Sequence, residues 1–113
     1  MKFGMLLQDS EKRIIFDQQT ALSFEGETGP YLQYTTARMS SILRKNTLDI
    51  NWDIDYSLLD ADEEKALILK LASFEEEVRK AANEYKPNYI ARRCLDVAQL
   101  FNSYYHNHKI IDE

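Results

Sequence analysis

The most constraining feature of this sequence is a cluster of backbone-breaking residues placed directly before a long stretch that has none. Residues 24–38 read FEGETGPYLQYTTAR and contain two of the three glycines and one of the two prolines in the chain. Glycine adopts backbone angles that other residues avoid, and proline suits the first turn of a helix because no amide donor is needed there. Residues 31–45 then contain neither glycine nor proline. The cluster predicts an abrupt helix start, with Thr28 or Gly29 as the N-cap.

This predicted helix carries two tyrosines and an arginine on one face. Tyr31, Tyr34 and Arg38 follow one another at intervals of three and four residues, and side chains at that spacing share one side of a helix. An apolar stripe at helical spacing is formed by Leu32, Thr35, Met39, Ile42 and Leu43. From the spacing alone, the two tyrosines either pack between helices with their hydroxyls at the rim or belong to a binding surface.

The remainder of the chain predicts a mainly α fold of four substantial helices. Helical patterns cover residues 60–74, 73–85 and 88–109, and the first of these is apolar on most sides, so we expect it to be central. Asp60 with Glu63, and Ser73 with Glu76, have the spacing of capping boxes at two helix starts. Residues 46–61 lack a helical period and are interpreted as a loop. We expect that loop to be pinned by Leu48, Ile50, Trp52, Ile54, Leu58 and Leu59.

The N-terminal segment predicts a small β-hairpin before these helices. Residues 3–7 and 13–16 are short apolar runs separated by a polar, turn-forming QDSEK segment. A two-stranded hairpin is marginal alone and needs a partner to pack against. After it, Asp17 is placed to cap a short helix over residues 18–22.

Composition and charge limit the classes of protein that this chain can belong to. The 113 residues suit one domain, the single cysteine excludes an internal disulfide, and no apolar run approaches the length of a membrane span. A cytoplasmic protein is the default expectation.

The net charge is −5, but residues 28–48 carry three basic side chains and no acid, whereas residues 49–77 carry ten acids and two lysines. Residues 78–95 are basic again, so a local positive surface would form if the two basic segments met.

The sequence offers no self-contained active site or metal site. His106 and His108 are two residues apart on a predicted helix and so point to different faces. Cys94 lies on an apolar stripe, which favours a packed thiol over a nucleophile. No glycine-rich phosphate loop is present. We therefore predict no catalytic residue, no metal ligand and no cofactor bound by this chain.

Two long stretches of the chain resemble the arginyl-tRNA synthetases. Residues 21–45, ALSFEGETGPYLQYTTARMSSILRK, resemble that family around its GPYLQY core, and residues 89–111, YIARRCLDVAQLFNSYYHNHKII, resemble a late helix of the family. KFGMLLQD and IIFD, in residues 2–17, resemble the segment that joins the catalytic core to the anticodon-binding domain. Thr36 departs from the family, in which His or Tyr is often found.

The resemblance implies an all-helical anticodon-binding domain cut from a larger enzyme. Residues 1–27 would be the connector from the catalytic domain, and residues 28–113 the helical domain without its closing helix. The parent enzyme would join arginine to its tRNA using ATP with Mg²⁺, through a catalytic domain of the same polypeptide, and this fragment would be non-catalytic. Loss of the closing helix would expose an apolar groove and favour self-association. The groove would involve some of Leu67, Leu71, Val97, Phe101 and Tyr104.

The resemblance also implies which residues bind the anticodon stem and loop of the tRNA for arginine. On the first helix these are Tyr31, Tyr34 and Arg38, with Gln33 as a further candidate; on the late helix they are Tyr105 and Lys109. Unstacked bases can lie on tyrosine rings, and arginine or lysine can pair with phosphate or a base edge. Tyr31 and Tyr105 remain open between packing and binding, and Tyr104 is expected in the core.

A second class of function stays open at this point. A free-standing helical protein-interaction domain could use the acidic surface of residues 49–64 as its contact. The GPYLQY motif favours the tRNA-binding module, whereas the net charge of −5 slightly favours the protein-interaction domain.

Overall fold

The computed structural model describes residues 2–111, and helices dominate them. The α-helices are α1 (Lys2–Leu6), α2 (Gln18–Ala21), α3 (Gly29–Lys45), α4 (Asp62–Ala72), α5 (Phe74–Glu84) and α6 (Asn88–Asn107), with a short 3₁₀ turn at Tyr56–Leu58. The mainly α prediction is confirmed. Met1, in the predicted connector of residues 1–27, lies outside the described residues. So do Asp112 and Glu113, in the predicted domain of residues 28–113. No helix within residues 2–111 has the length and hydropathy to cross a membrane.

The predicted N-terminal hairpin is wrong, because residues 2–111 contain no strand. The first apolar run forms α1 instead, and the second is irregular, with Ile15 90% exposed. Phe3 and Leu7, four residues apart, both join the cluster around Leu95 of α6. The Leu7 amide donates to the Phe3 carbonyl at 2.9 Å, a helical hydrogen bond that places both side chains on the same side of the turn. The first apolar run therefore packs Leu7 and, in part, Phe3 against α6 as a helical turn.

Helix α6 is the centre of the fold, and it packs against α1, α3, α4 and α5. Leu95 is fully buried, and the other buried side chains of α6, at spacings of three and four, are Ala91, Ala98 and Phe101. The expectation that the helix of residues 60–74 is central is wrong. The main partners of α4 are α6 and α5, none of the side chains of α4 is buried, and Ile68, Leu69 and Leu71 are exposed.

The start of α3 is confirmed, with Thr28 as its N-cap. The buried Thr28 hydroxyl accepts a hydrogen bond from the Tyr31 amide at 3.2 Å and donates one to the Ser23 carbonyl. Pro30 follows in the first turn, and Gly26 has a φ of 82°, a left-handed conformation that favours glycine. The breaker cluster thus turns the chain and satisfies the first amides of α3.

Neither predicted capping box forms at the expected residues. Helix α4 begins at Asp62, so its N-cap is Ala61, and the Glu64 carboxylate accepts a hydrogen bond from the Ala61 amide at 3.1 Å. The predicted pair of Asp60 and Glu63 is therefore displaced by one residue. The short connection between α4 and α5 explains the second miss: the Ser73 hydroxyl donates back to the Leu69 carbonyl. The same oxygen accepts from Nη1 of Arg93 at 2.9 Å, and it makes no capping hydrogen bond to α5.

The loop prediction for residues 46–61 is confirmed in outline, but its apolar residues do not pin it. Most hydrogen bonds within the loop join residues two or three positions apart, so they stabilise local turns. The six residues expected to anchor the loop are all exposed, and Trp52 is 79% exposed. Of the expected groove residues, Leu71 is exposed whereas Phe101 is buried.

The second basic segment, residues 78–95, contributes little to a positive surface. In the described residues the cations of residues 78–95 are largely paired with acids. The ion pairs are Arg79–Glu75, Lys86–Asp9, Arg92–Glu27 and Arg93–Glu77. Arg93–Glu77 joins α6 to α5, Arg92–Glu27 and Lys86–Asp9 reach the N-terminal segment, and Arg79–Glu75 lies within α5. The basic residues of 78–95 therefore tie the fold together and contribute little unpaired charge.

Candidate nucleic-acid interface

Helix α3 places three of the predicted site residues along one side, as their spacing requires. Tyr34 is 43% exposed, and Tyr31 and Arg38 are half-buried. Gln33 lies next to Tyr34 in sequence and is exposed. All three residues are partly accessible from solvent, but Tyr31 also packs against the apolar cluster around Leu95.

Arg38 joins α3 to α6 through two aromatic rings and an amide. The guanidinium carbon lies 4.3 Å from the centroid of the Tyr34 ring and 5.0 Å from that of the Tyr105 ring. Nη2 donates to the Tyr34 hydroxyl, and Nη1 donates to Oδ1 of Asn102 at 3.0 Å. We call Tyr34, Arg38, Asn102 and Tyr105 the Arg38 cluster. The cation–π contacts hold the guanidinium plane between two helices.

Tyr31 is connected to the Arg38 cluster through Asn102. The Asn102 amide nitrogen donates to the Tyr31 hydroxyl at 3.0 Å and to the Thr35 hydroxyl at 2.7 Å. Sequence reasoning missed Asn102 as a site residue. Its signal was its position three residues before Tyr105, which puts both on one side of α6.

Tyr104 and Tyr105, adjacent in α6, contact different parts of the fold. Tyr105 is 40% exposed, and its ring centroid lies 6.0 Å from that of Phe101, which supports it from the core side. Tyr104 turns towards α4, where its hydroxyl donates to the Glu64 carboxylate at 2.7 Å. That hydrogen bond raises the pKa of Tyr104 above its ordinary value. Tyr105 therefore belongs to the Arg38 cluster, and Tyr104 to the packing of α6 against α4.

Lys109 lies just beyond α6, on the same part of the surface as Tyr105. Both line an open cavity of about 340 Å³ between the last turn of α3 and residues 108–111. Lys45 of α3 also lines it, so two lysines border the cavity. The cavity adjoins the Arg38 cluster at Tyr105, which is common to both.

The two histidines are exposed, and among the described residues only His108 has contacts that connect it to another helix. His108 Nε2 lies 2.7 Å from the Glu63 carboxylate, and its ring stacks on Tyr104 with centroids 4.5 Å apart. A hydrogen bond from Asn107, and then one from His108, lower the pKa of Glu63 below its ordinary value. Cys94 is half-buried within α6. Across residues 2–111, no three His, Cys, Asp or Glu side chains are grouped so as to hold a metal ion.

The Arg38 cluster has the chemical features of a surface for unpaired bases. Tyrosine rings that are partly exposed can stack on a base, which is worth about 1–3 kcal/mol per base. Two of the five N–H groups of Arg38 are used in the hydrogen bonds described above, so the guanidinium retains donors for phosphate or a base edge.

Comparison with known families decides the assignment. The profile of a family described as the DALR anticodon binding domain matches residues 32–113, which include the Arg38 cluster. The chain belongs to the DALR anticodon-binding domain family. The matched region takes in most of α3 and all of α4, α5 and α6, so the helices that bear the cluster are those of the family domain.

Curated relatives and a solved structure agree with membership of the DALR family. The chain is 44% identical to the arginine–tRNA ligase of Streptococcus uberis over 113 residues, covering 100% of this chain and 20% of that protein. It is 45% identical to the ligase of Clostridioides difficile over 112 residues, with 98% and 20% covered. The chain thus spans about a fifth of the length of the curated relatives it matches.

The arginyl-tRNA synthetase of Thermus thermophilus has a similar fold over nearly the whole chain. The TM-score is 0.80 at 42% sequence identity, and the match covers 96% of this chain and 18% of that one. The resemblance of residues 21–45 and 89–111 to arginyl-tRNA synthetases is therefore confirmed. The helical bundle predicted from it is confirmed as well.

Proposed function

We propose that this chain binds the anticodon stem-loop of a tRNA that accepts arginine, as the anticodon-binding module of an arginine–tRNA ligase. The observation that carries the proposal is the position of Arg38, held between the rings of Tyr34 and Tyr105 within a DALR domain. An arginine between two partly exposed tyrosines offers stacking faces and charged donors at one place.

Each residue of the proposed site has a defined role. Tyr34 and Tyr105 stack on unpaired bases, and Arg38 donates hydrogen bonds to a base edge or phosphate. Tyr31 adds a hydroxyl beside them. Gln33 and Lys109 flank the site, where an amide and an ammonium group contact the RNA backbone. A net charge of −5 gives weak binding by the chain alone, since non-specific affinity for RNA depends on positive charge.

The larger context follows from the relatives. The parent protein is proposed to join arginine to its tRNA with ATP and Mg²⁺, in a catalytic domain of the same polypeptide, and to act in the cytoplasm. This chain contributes binding and no catalysis. Residues 1–27 are proposed as the connector to the catalytic domain and residues 28–113 as the binding domain. The protein-interaction alternative through residues 49–64 has no comparison in its favour.

Self-association through the apolar surface beside α4 and α6 is a further part of the proposal. Leu71 is exposed, and Leu67 and Val97 are half-exposed around it. An apolar patch of this kind favours contact with a second copy. Sedimentation velocity across a hundredfold concentration range measures it, and a sedimentation coefficient that stays at the monomer value would contradict it.

A salt titration with arginine-accepting tRNA tests the tRNA-binding proposal. Affinity is measured by fluorescence anisotropy at several salt concentrations, with a tRNA for another amino acid as the competitor. We expect the affinity for the arginine tRNA to fall as the salt concentration rises. We also expect the arginine tRNA to stay bound in the presence of the competitor tRNA. Equal affinity for both tRNAs at every salt concentration would contradict the proposal.

A further inference from the structure

We propose that Asn102, together with the buried Thr35, is a positioning pair that orients Arg38 and Tyr31 and makes the site present hydrogen-bond donors to the RNA. This inference rests on the proposed tRNA-binding function. It concerns residues that are not among the aromatic and cationic groups expected to contact the RNA. Its starting point is a chain of hydrogen bonds that begins inside α3.

Thr35 fixes the first step of that chain. Its side chain is 2% exposed, and its hydroxyl donates to the Tyr31 carbonyl one turn earlier, at 3.0 Å. A hydroxyl has a single hydrogen, so the Thr35 oxygen is left to act as an acceptor. The group that approaches it from α6 must therefore be a donor.

Asn102 supplies that donor, and its orientation is determined as a result. Its amide nitrogen lies 2.7 Å from the Thr35 hydroxyl and 3.0 Å from the Tyr31 hydroxyl, so both amide hydrogens are used. Its carbonyl oxygen then faces Nη1 of Arg38 at 3.0 Å. The opposite orientation would place an NH₂ group against a guanidinium, which has no acceptor.

These hydrogen bonds determine which O–H and N–H groups of the site remain available to a ligand. The Tyr31 hydroxyl accepts from Asn102, and the Tyr34 hydroxyl accepts from Arg38, so each retains its own hydrogen for an outside acceptor. Arg38 keeps unused N–H groups as well. The ligand groups that fit this site are therefore hydrogen-bond acceptors, such as phosphate oxygens, base carbonyls or unprotonated ring nitrogens.

The test replaces Asn102 and Thr35 and measures binding of the arginine-accepting tRNA to the full chain. Asn102→Asp keeps the shape but removes both donors and sets a carboxylate against Arg38. We expect affinity to fall about tenfold or more, and the salt slope to become shallower by about one unit, because the Arg38 charge is neutralised. Asn83→Asp is the matched control, since Asn83 is exposed on α5 and the variant has the same net charge.

A second pair of variants separates positioning from packing. Thr35→Val removes the hydroxyl at nearly constant volume and should weaken binding several-fold, whereas Thr35→Ser retains the hydroxyl and should bind like the parent chain. If Asn102→Asp lowers the melting temperature, binding is measured below the transition and in an Arg38→Ala background. A positioning role predicts that Asn102→Asp has a much smaller effect in that background, since only its contact with Tyr31 is left to lose.

The outcomes distinguish this inference from the function on which it rests. If the parent chain binds and Arg38→Ala weakens binding, but Asn102→Asp and Thr35→Val bind like the parent, the positioning pair is wrong and the function stands. Additive losses in the Arg38→Ala background would also overturn the inference, since they indicate a structural effect elsewhere. If the parent chain binds no tRNA, both proposals fail.

Discussion

Arg38 of α3 donates from Nη1 to Oδ1 of Asn102 in α6 at 3.0 Å, across 64 positions of the sequence. This contact makes the candidate site a product of helix packing, because neither helix holds the complete cluster. Anything that displaces α3 relative to α6 should alter both stability and RNA binding. The stability predictions below therefore concern residues that position these two helices.

The N-cap of α3 is the first point to test. Thr28→Ala removes the acceptor for the Tyr31 amide and the donor to the Ser23 carbonyl, so the free energy of unfolding should fall by about 1–2 kcal/mol. Chemical denaturation measures it. Thr36→Ala, at an exposed position within α3, is the control and should change stability by less than about 0.5 kcal/mol. Equal losses in the two variants would contradict the cap.

The central position of α6 predicts a large cavity effect at Leu95. This side chain is 0% exposed, so Leu95→Ala should cost about 2–5 kcal/mol and unfold much of the chain at 37 °C. Leu69→Ala in α4 removes the same atoms from a side chain that is 69% exposed, and should cost little. Thermal melts of both variants decide the point. A Leu69 variant as unstable as the Leu95 variant would show that α4 lies inside the fold.

The end of α5 offers a stabilising substitution. Tyr85 has a φ of 56° and is an exposed residue in the left-handed conformation that ends the helix. Tyr85→Gly relieves a backbone cost of about 1–2 kcal/mol against an entropic loss of about 0.4–1 kcal/mol, so a net gain is expected. Ala82→Gly, inside α5, should instead cost about 1 kcal/mol. If Tyr85→Gly lowers the melting temperature, the strain assigned to this position is absent.

The ion pair of Asp9 with Lys86 predicts a pH-dependent coupling. The Lys86 hydrogen bond is the main cause that holds the pKa of Asp9 below its ordinary value, and the Asp9 hydrogen bond is the main cause that raises the pKa of Lys86. The Asp9 contribution is thus present above its unfolded pKa, near 4, and is lost as pH falls through the lower folded value. The Lys86 contribution is present below about pH 10 and is lost as pH rises through the higher folded value.

A double-mutant cycle measures that coupling. Asp9→Asn, Lys86→Met and the double variant are unfolded with denaturant at several pH values. The coupling free energy should be constant between roughly pH 5 and 9 and should shrink as pH falls below about 4 and through the lower folded pKa of Asp9. A coupling that persists undiminished near pH 2 would show that the two side chains interact without the ionised carboxylate.

Local signals predicted the start of α3 because the cap, the proline and the absence of later breakers lie within a few residues. The same signals failed at the N-terminus. An apolar run of five residues fits a strand or a helix. The helical form is the one that packs Phe3 and Leu7 against Leu95 of α6, and that contact is not visible in the local sequence. The loop of residues 46–61 failed in the opposite way: its apolar residues suggested anchors, but no partner surface covers them among the described residues.

The part of the candidate site that lies within one helix was predicted, and the part that depends on packing between helices was not. Spacing within α3 predicts that Tyr34 and Arg38 are neighbours, since both lie on one helix face. The contribution of Asn102 depends on how α6 packs against α3, and one sequence contains no information on that register. Apart from its spacing of three residues from Tyr105, an asparagine between a phenylalanine and a serine resembles any polar position of a surface helix.

The most direct test of the central claim compares two stem-loops and three proteins. Binding of the arginine anticodon stem-loop, and of one with the loop bases changed but the stem kept, is measured for the parent chain, Arg38→Ala and Tyr34→Ala. The account predicts that the parent chain prefers the arginine loop, that Arg38→Ala weakens binding by about tenfold or more, and that Tyr34→Ala removes most of the preference. Equal affinity of all three proteins for both stem-loops would contradict the claim that the Arg38 cluster binds the anticodon loop.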